Sequence, residues 1–151
     1  MKLTTLIRNA QSTDIAQVIG LMKALAEFEG YDSEFNVTCD DLLELGLKKQ
    51  VFFILVAEQH ADIVGMLVYY WVPFTYDRKP WMQIKELYVQ EAARKQGVGA
   101  LLFNRARDIC EEARASRMRW DVLKTNVKAQ SFYKSLGAQM DNQWLPFVYT
   151  I

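Results

Sequence analysis

The sequence predicts a mixed α/β fold in which a β-sheet is flanked by helices, and three observations lead there. Two short apolar runs of β character, Val51 to Ala57 and Ile63 to Trp71, sit on either side of a polar turn at Gln59 to Asp62, as hairpin partners do. Apolar residues at helical spacing recur before and after that pair. Glu86 to Ala106, ELYVQEAARKQGVGALLFNRA, begins as a strand and ends as a helix, with glycines and basic residues at the joint.

The elements follow in order. Leu3 to Ile7 reads as a short strand, and Ser12-Thr13-Asp14 supplies the cap and first-turn acid of a helix with Ile15, Val18, Ile19, Met22, Leu25 and Ala26 on one face. Thr38-Cys39-Asp40-Asp41 resembles a capping box with Asp in the Glu position and opens a second helix through Leu42, Leu43, Leu45 and Leu47. The hairpin strands come next. Pro73 and Pro80 bracket a loop, Trp81 to Val89 resumes a strand, and the joint leads into a helix with Val98, Leu101, Leu102, Ala106, Ile109 and Ala113 in phase. Met118 to Leu123 is a further strand. A short helix stops at Leu136 with Gly137 beyond it, and Ala138 to Met140 and Phe147 to Ile151 are expected to close the chain as a hairpin. The expected order is β-α-α-β-β-β-α-β-α-β-β, in one domain spanning 1–151.

Composition narrows the function classes. With 51% hydrophobic and 24% charged residues the chain can bury an ordinary core. Its apolar runs are too short to cross a bilayer and the N-terminus lacks a long apolar stretch, so a soluble, cytoplasmic protein without membrane contact is expected. Two cysteines and one histidine, His60, without ligand spacing leave no disulfide framework and no metal site in prospect. The net charge is zero, which argues against nucleic acid as a partner. The charge is nonetheless uneven: residues 1–62 carry 5 Lys/Arg and 10 Asp/Glu, and residues 63–151 carry 13 and 8. Glu27, Glu29, Asp32, Glu34, Asp40, Asp41 and Glu44 form one stretch with no basic residue among them, either a solvated loop or a field for a cationic ligand.

The joint suggests an anion. A glycine turn from strand into helix exposes backbone N–H groups at the positive end of the helix dipole and admits a phosphate where a Cβ would obstruct it. No mononucleotide loop of the form Gly-x4-Gly-Lys-Ser/Thr is present, and the dinucleotide pattern begun by Gly97-Val98-Gly99 fails because Leu102 stands at its third glycine. Arg94-Lys95-Gln96-Gly97-Val98-Gly99 instead resembles the Arg/Gln-x-x-Gly-x-Gly/Ala pyrophosphate loop of the GCN5-related N-acetyltransferases. Ile84 to Val89 looks like that family's splayed strand. Asn126 to Ala138 resembles its Asn-x-x-Ala-x-x-Phe-Tyr-x-x-x-Gly-Phe/Ala segment, and the element order is the family's as well. Val68-Tyr69-Tyr70, Phe74-Thr75-Tyr76-Asp77 and Leu42 to Gly46 look like the diamine (spermidine/spermine) and thialysine acetyltransferases, although Lys85-Glu86 stands where the polyamine enzymes carry two acids.

The resemblance implies acetyl-CoA as cosubstrate, a small-molecule amine as acceptor and a homodimer. Its pantetheine arm would lie along Leu87, Tyr88 and Val89, and the backbone N–H of Val89 would polarise the thioester carbonyl. Arg94 and Lys95 would add charge, and the N–H groups of Gln96, Gly97, Val98, Gly99 and Ala100 would hold the pyrophosphate. Asn126, Ala129 and Tyr133 would complete the cofactor site, with Asn126 alternatively a helix cap. An amine attacks only after losing a proton, so Glu86 is the candidate base through water, and the resemblance makes the Tyr133 hydroxyl the acid for the departing thiolate. Lys85, Glu86, Glu27 and Tyr31 are the expected acceptor contacts. Two alternatives stay open: a protein or peptide N-acetyltransferase, and a non-catalytic acyl-CoA-binding module.

Overall fold

A computed structural model describes residues 3–73 and 76–151; the Phe74-Thr75 pair of the branch resemblance and the first two residues lie outside these. The chain forms two compact units, Met1–Asp121 and Val122–Ile151.

The first unit holds strands β1 (Leu6–Asn9), β2 (Phe53–Gln59), β3 (Asp62–Val72), β4 (Trp81–Val89) and β5 (Arg117–Arg119), in sheet order β1-β2-β3-β4-β5. Neighbours are antiparallel except β5, which runs parallel to β4 after the crossover through helix α3 (Val98–Glu112). Helix α1 (Ile15–Glu29) lies between β1 and a short α-turn, α2 (Cys39–Asp41), which runs on as a π-helical segment, Leu42–Lys48. The expected capping box is present: Asp41 N–H donates to Thr38 Oγ1 at 3.2 Å and Thr38 N–H to Asp41 Oδ2 at 2.9 Å.

Each sheet face is covered by a helix. Ile54 and Val56 of β2 and Met66 and Val68 of β3 cluster with Ile15, Val18 and Met22 of α1 and with Leu42. On the opposite face, a Cβ on Gly65 would meet Leu102 Cδ1 at 3.2 Å and Val98 Cγ1 at 3.3 Å, so α3 rests directly on the β3 backbone there. The buried stripe of α3 is Val98, Leu102, Phe103, Ala106 and Cys110, whereas Leu101 is turned outward. A helix that leans on Gly65 through Val98 and Leu102 presents i, i+4, i+8 and i+12 to the sheet, and this phase leaves out Leu101 and Ala113.

Three side chains tie the α1 side together. Arg8 on β1 donates to both Asp14 carboxylate oxygens, at 2.6 and 3.0 Å, and to Glu58 Oε1 on β2 at 3.2 Å. Asp14 also accepts from the Gln11 backbone N–H. The Arg8 hydrogen bonds hold its carboxyl below the ordinary range despite burial.

In the second unit, α4 (Val127–Ser135) is followed by Gly137 at φ 93°, and Ala138 N–H closes on Tyr133 O at 3.1 Å. The first nine elements of the expected order are present. The two expected closing strands are not: residues 138–151 form no helix or strand, and Phe147, Val148 and Tyr149 are each about 90% exposed. β-type residues make a strand only when another strand completes the ladder, and composition alone supplies no such partner.

Candidate active site

The candidate donor side starts with the edge of β4. Its ladder to β5 covers only Trp81 to Gln83, so six more residues, Ile84 to Val89, run on beyond the last β5 pairing. Gln90 N–H donates to Val64 O at 2.9 Å, and alternation along an antiparallel pair therefore turns the N–H and C=O of Leu87 and Val89 away from β3, toward that open edge. Arg94 returns to the same edge. Its Nε donates to Val89 O at 2.9 Å, and its guanidinium carbon lies 5.4 Å from the Tyr88 ring centroid.

Beyond Arg94 the chain turns through Lys95 at φ 63° and Gly97 at φ 79°, where α3 begins. The left-handed conformation favours glycine at 97 and strains lysine at 95. The N–H groups of Val98, Gly99 and Ala100 open a 15-residue helix and have no acceptor one turn earlier within it. They stand at the positive end of its dipole, beside Arg94 and Lys95. Backbone donors, helix dipole and open strand edge together fit a pantetheine arm ending in a pyrophosphate.

The candidate acceptor side is a groove on the α1 face with two lobes of about 220 Å³ each, sharing Met22, Phe35, Val37 and Glu86. Glu29, Tyr31, Glu34 and Asn36 line the first lobe; Asp41, Leu45, Phe52 and Lys85 line the second. Gly46 packs behind Phe52 of the second lobe: a Cβ there would lie 2.8 Å from the Phe52 ring.

Glu86 reaches the groove through a bulge. Val68 pairs with Glu86 and Tyr69 with Ile84, which leaves Lys85 as an extra residue on β4. Met82 and Ile84 thus lie opposite Trp71 and Tyr69 on the α3 face, while Glu86, only two residues further, lies opposite Val68 on the α1 face. Strict alternation would have put all three on one side.

The Glu86 carboxyl has a buried oxygen, Oε2, with no hydrogen-bond partner among the described residues. Burial raises its pKa, Lys85 opposes the rise, and Glu29 adds to it. Burial also raises the Tyr31 phenol, helped by Glu29, Glu86 and Glu34, so several carboxylates converge on one field. An ammonium group would be stabilised there, and Glu86 is poised to accept a proton nearer neutrality than an ordinary glutamate.

The groove brings together Tyr31, Lys85 and Glu86 of the expected acceptor residues. Glu27 is exposed on α1 and does not line it; Glu29 does. Position 29 follows Met22, Leu25 and Ala26 by seven, four and three residues, so it shares their stripe and 27 does not. Helix phase was the signal for Glu29, whereas Glu34 and Asp41 enter from a turn and a cap that periodicity does not reach. Among the described residues there is no His/Cys/Asp/Glu cluster able to hold a metal.

In the second unit Asn126 caps α4, its Oδ1 accepting from Ala129 N–H at 3.1 Å. Both residues of that expected cofactor pair are thus joined to each other. Tyr133 packs against Phe132 with ring centroids 5.2 Å apart.

Comparison with known proteins agrees with this geometry. Residues 19–138 match the model of the acetyltransferase (GNAT) family. The chain is 30% identical to the thialysine N-epsilon-acetyltransferase of Mus musculus over 156 residues, covering 95% of this chain and 91% of the relative. It is 29% identical to the spermidine/spermine N(1)-acetyltransferase-like protein 1 of Homo sapiens, covering 87% of this chain and 20% of that protein. Among solved structures, an aminoglycoside acetyltransferase from an uncultured soil metagenomic sample, in complex with sisomicin, shares the fold with a TM-score of 0.83 at 23% identity, over 97% of this chain and 96% of that one. The chain belongs to the GNAT family and is an acetyltransferase whose curated relatives include the thialysine and spermidine/spermine branch.

Proposed function

We propose that this enzyme acetylates the primary amine of a small diamine or amino-acid-like acceptor, with acetyl-CoA supplying the activated acyl group as its thioester. The observation that carries the proposal is the buried, unpartnered Glu86 oxygen at the meeting point of two groove lobes lined by further carboxylates. The thialysine and spermidine/spermine names of the relatives support the acceptor class.

The residues divide the work as follows. Glu29, Glu34 and Tyr31 attract and orient the ammonium form of the acceptor. Glu86 takes the proton that must leave before the nitrogen can attack, through an intervening water. The Val89 N–H donates to the thioester carbonyl oxygen as charge develops there. As the C–N bond forms and the C–S bond breaks, Tyr133 protonates the departing thiolate, so amide, free thiol and one proton are the products. Leu87, Tyr88 and Val89 carry the pantetheine arm, the amides from Gln96 to Ala100 hold the pyrophosphate with Arg94 and Lys95, and Asn126 with Ala129 shapes the start of the Tyr133 helix.

We take 1–151 as one catalytic domain, a reading supported by the family match at residues 19–138, which includes parts of both compact units. A cytoplasmic homodimer that engages neither nucleic acid nor membrane completes the proposal. No described helix is long and apolar enough to span a bilayer.

Lys85 favours acceptors that carry a carboxylate beside the reactive amine. It stands next to Glu86 in the second lobe, where it would oppose a long polycation and pair with an anion. The test is a panel of diamines, amino acids with side-chain amines, aminoglycosides and peptides incubated with acetyl-CoA, with free thiol release followed. Small diamines or amino-acid-like amines turning over fastest support the proposal. Turnover only with peptides, or none, overturns it.

A further inference from the structure

Gln59 and Asp14 are the buried polar residues of the described core, each about 5% exposed. Asp14 is accounted for by Arg8 and the Gln11 N–H. Gln59 needs another explanation, because a buried side-chain amide gains little over an apolar residue unless its hydrogen bonds do something specific. Its Nε2 donates to Thr5 Oγ1 at 2.8 Å and to Gln96 Oε1 at 3.2 Å, and Gln96 Nε2 in turn donates to Ala92 O at 3.4 Å.

Gln59 is the last residue of β2 and pairs with Asp62 across a two-residue turn, His60 and Ala61, at φ 49° and 67°. Side chains of Leu55, Ala57 and Gln59 share a face by alternation, the face on which Ala57 pairs with Gly65 beneath α3. Gln59 therefore ends that row on the α3 face, where Gln96 meets it just before α3 begins. Gln96 sits between the two left-handed residues, Lys95 and Gly97. The loop is thus fastened at two points: Arg94 to the end of β4 through Val89 O, and Gln96 to the end of β2 through Gln59.

We infer that Gln59 is a positioning residue for coenzyme binding, acting through Gln96 to hold the glycine loop in its phosphate-ready form. The inference rests on the proposed reading of that loop as a pyrophosphate site. A loop held with a strained lysine conformation relaxes when one of its anchors is cut, and the bound cofactor must then order it again. The loss should fall on ligands that have a pyrophosphate and spare those that end before it.

The experiment uses the full-length chain as wild type, Gln59→Met, Gln96→Met and the double variant. Calorimetry gives the Kd of coenzyme A, and kcat/KM is measured for acetyl-CoA and for S-acetylpantetheine, which lacks pyrophosphate and nucleotide. Each single variant is expected to weaken coenzyme A binding about 3- to 10-fold, and the double variant no more than either single one. The kcat/KM for S-acetylpantetheine should stay at the wild-type value in Gln59→Met. Gln96→Met cuts the same bond from the loop end and keeps the test open if Gln59→Met does not fold. Wild-type coenzyme A affinity in a folded single variant, additive losses, or equal losses for both donors overturn the inference. If wild type itself used S-acetylpantetheine as well as acetyl-CoA, the pyrophosphate reading would fall, and the inference with it.

Discussion

The proposed donor and acceptor sides of β4 are built in different ways. The donor side is made of backbone: the N–H groups of Leu87 and Val89 on an open edge, and the amides that start α3 after Gly97. The proposed acceptor groove is made of side chains drawn from α1, the turn after it, the Thr38–Asp41 cap, the π-helical segment and the bulged β4. A backbone site tolerates most substitutions and fails mainly where a glycine or a backbone conformation is lost. A side-chain site changes with every residue that lines it, and so does its specificity. The two sides should therefore respond to mutation in separable ways.

The sharpest separation is expected in the chemistry. Tyr133→Phe should lower kcat by about 10²- to 10⁴-fold while leaving the Kd of acetyl-CoA nearly unchanged, as single-turnover and binding measurements would show. A wild-type rate with acetyl transfer limiting would remove Tyr133 as the acid. Glu86→Gln should cost a similar factor and abolish the rise of kcat/KM with pH expected of Glu86 acting as the base. Its effect on stability has the opposite sign. Because burial raises the folded pKa above the unfolded one, ionisation weakens the fold as pH climbs past the unfolded value. Melting curves should coincide for the two proteins in acid and part toward neutral pH, with the Gln variant the more stable.

Next in size is the donor side. Acetyl-CoA at about 100 times its Kd should stabilise the wild type by about 2.7 kcal/mol, or roughly 5 to 11 °C in Tm. Gly99→Val should remove most of that shift and leave the melting temperature without ligand close to normal. An unchanged shift would mean that the amides after Gly97 do not hold the cofactor.

A smaller change is expected in the second lobe. Gly46→Ala places a methyl 2.8 Å from the ring of Phe52, which lines the second lobe and must shift to make room. The KM for the acceptor should rise about 3- to 10-fold with the KM for acetyl-CoA unaltered, a smaller loss than truncating a well-buried contact. Equal changes in both would show that the two sides are coupled after all. The mildest substitution is Lys85→Glu, on an exposed side chain. It should move the ratio of kcat/KM for spermidine over an amino-acid-like diamine upward by about 2- to 10-fold, and an unmoved ratio would exclude Lys85 from specificity.

The same contrast explains what the sequence made legible. Arg94 to Gly99 is contiguous, and its glycine conformation is local, so the joint and the helix after it could be read directly. The Thr38–Asp41 box and the Gly137 stop are local in the same way. Lys85 as a bulge was not readable, because it is defined by what stands across from it on β3. The π-helical segment was not readable either, since its leucine spacing also fits an α-helix. Glu29 was within reach through the phase of Met22, Leu25 and Ala26, but charge density alone pointed as readily to Glu27. Phe147 to Ile151 has strand composition, yet composition does not supply the neighbouring strand that pairing requires.

The extra residue at Lys85 makes β4 two half-strands out of phase. In the first half Met82 and Ile84 serve the interior under α3; in the second, Glu86 and Tyr88 serve the α1 side. The phase break uncouples two selective pressures that an unbroken strand would place on a single row of side chains. A substitution at Glu86 thus reaches the groove without entering the row that Met82 and Ile84 present to α3.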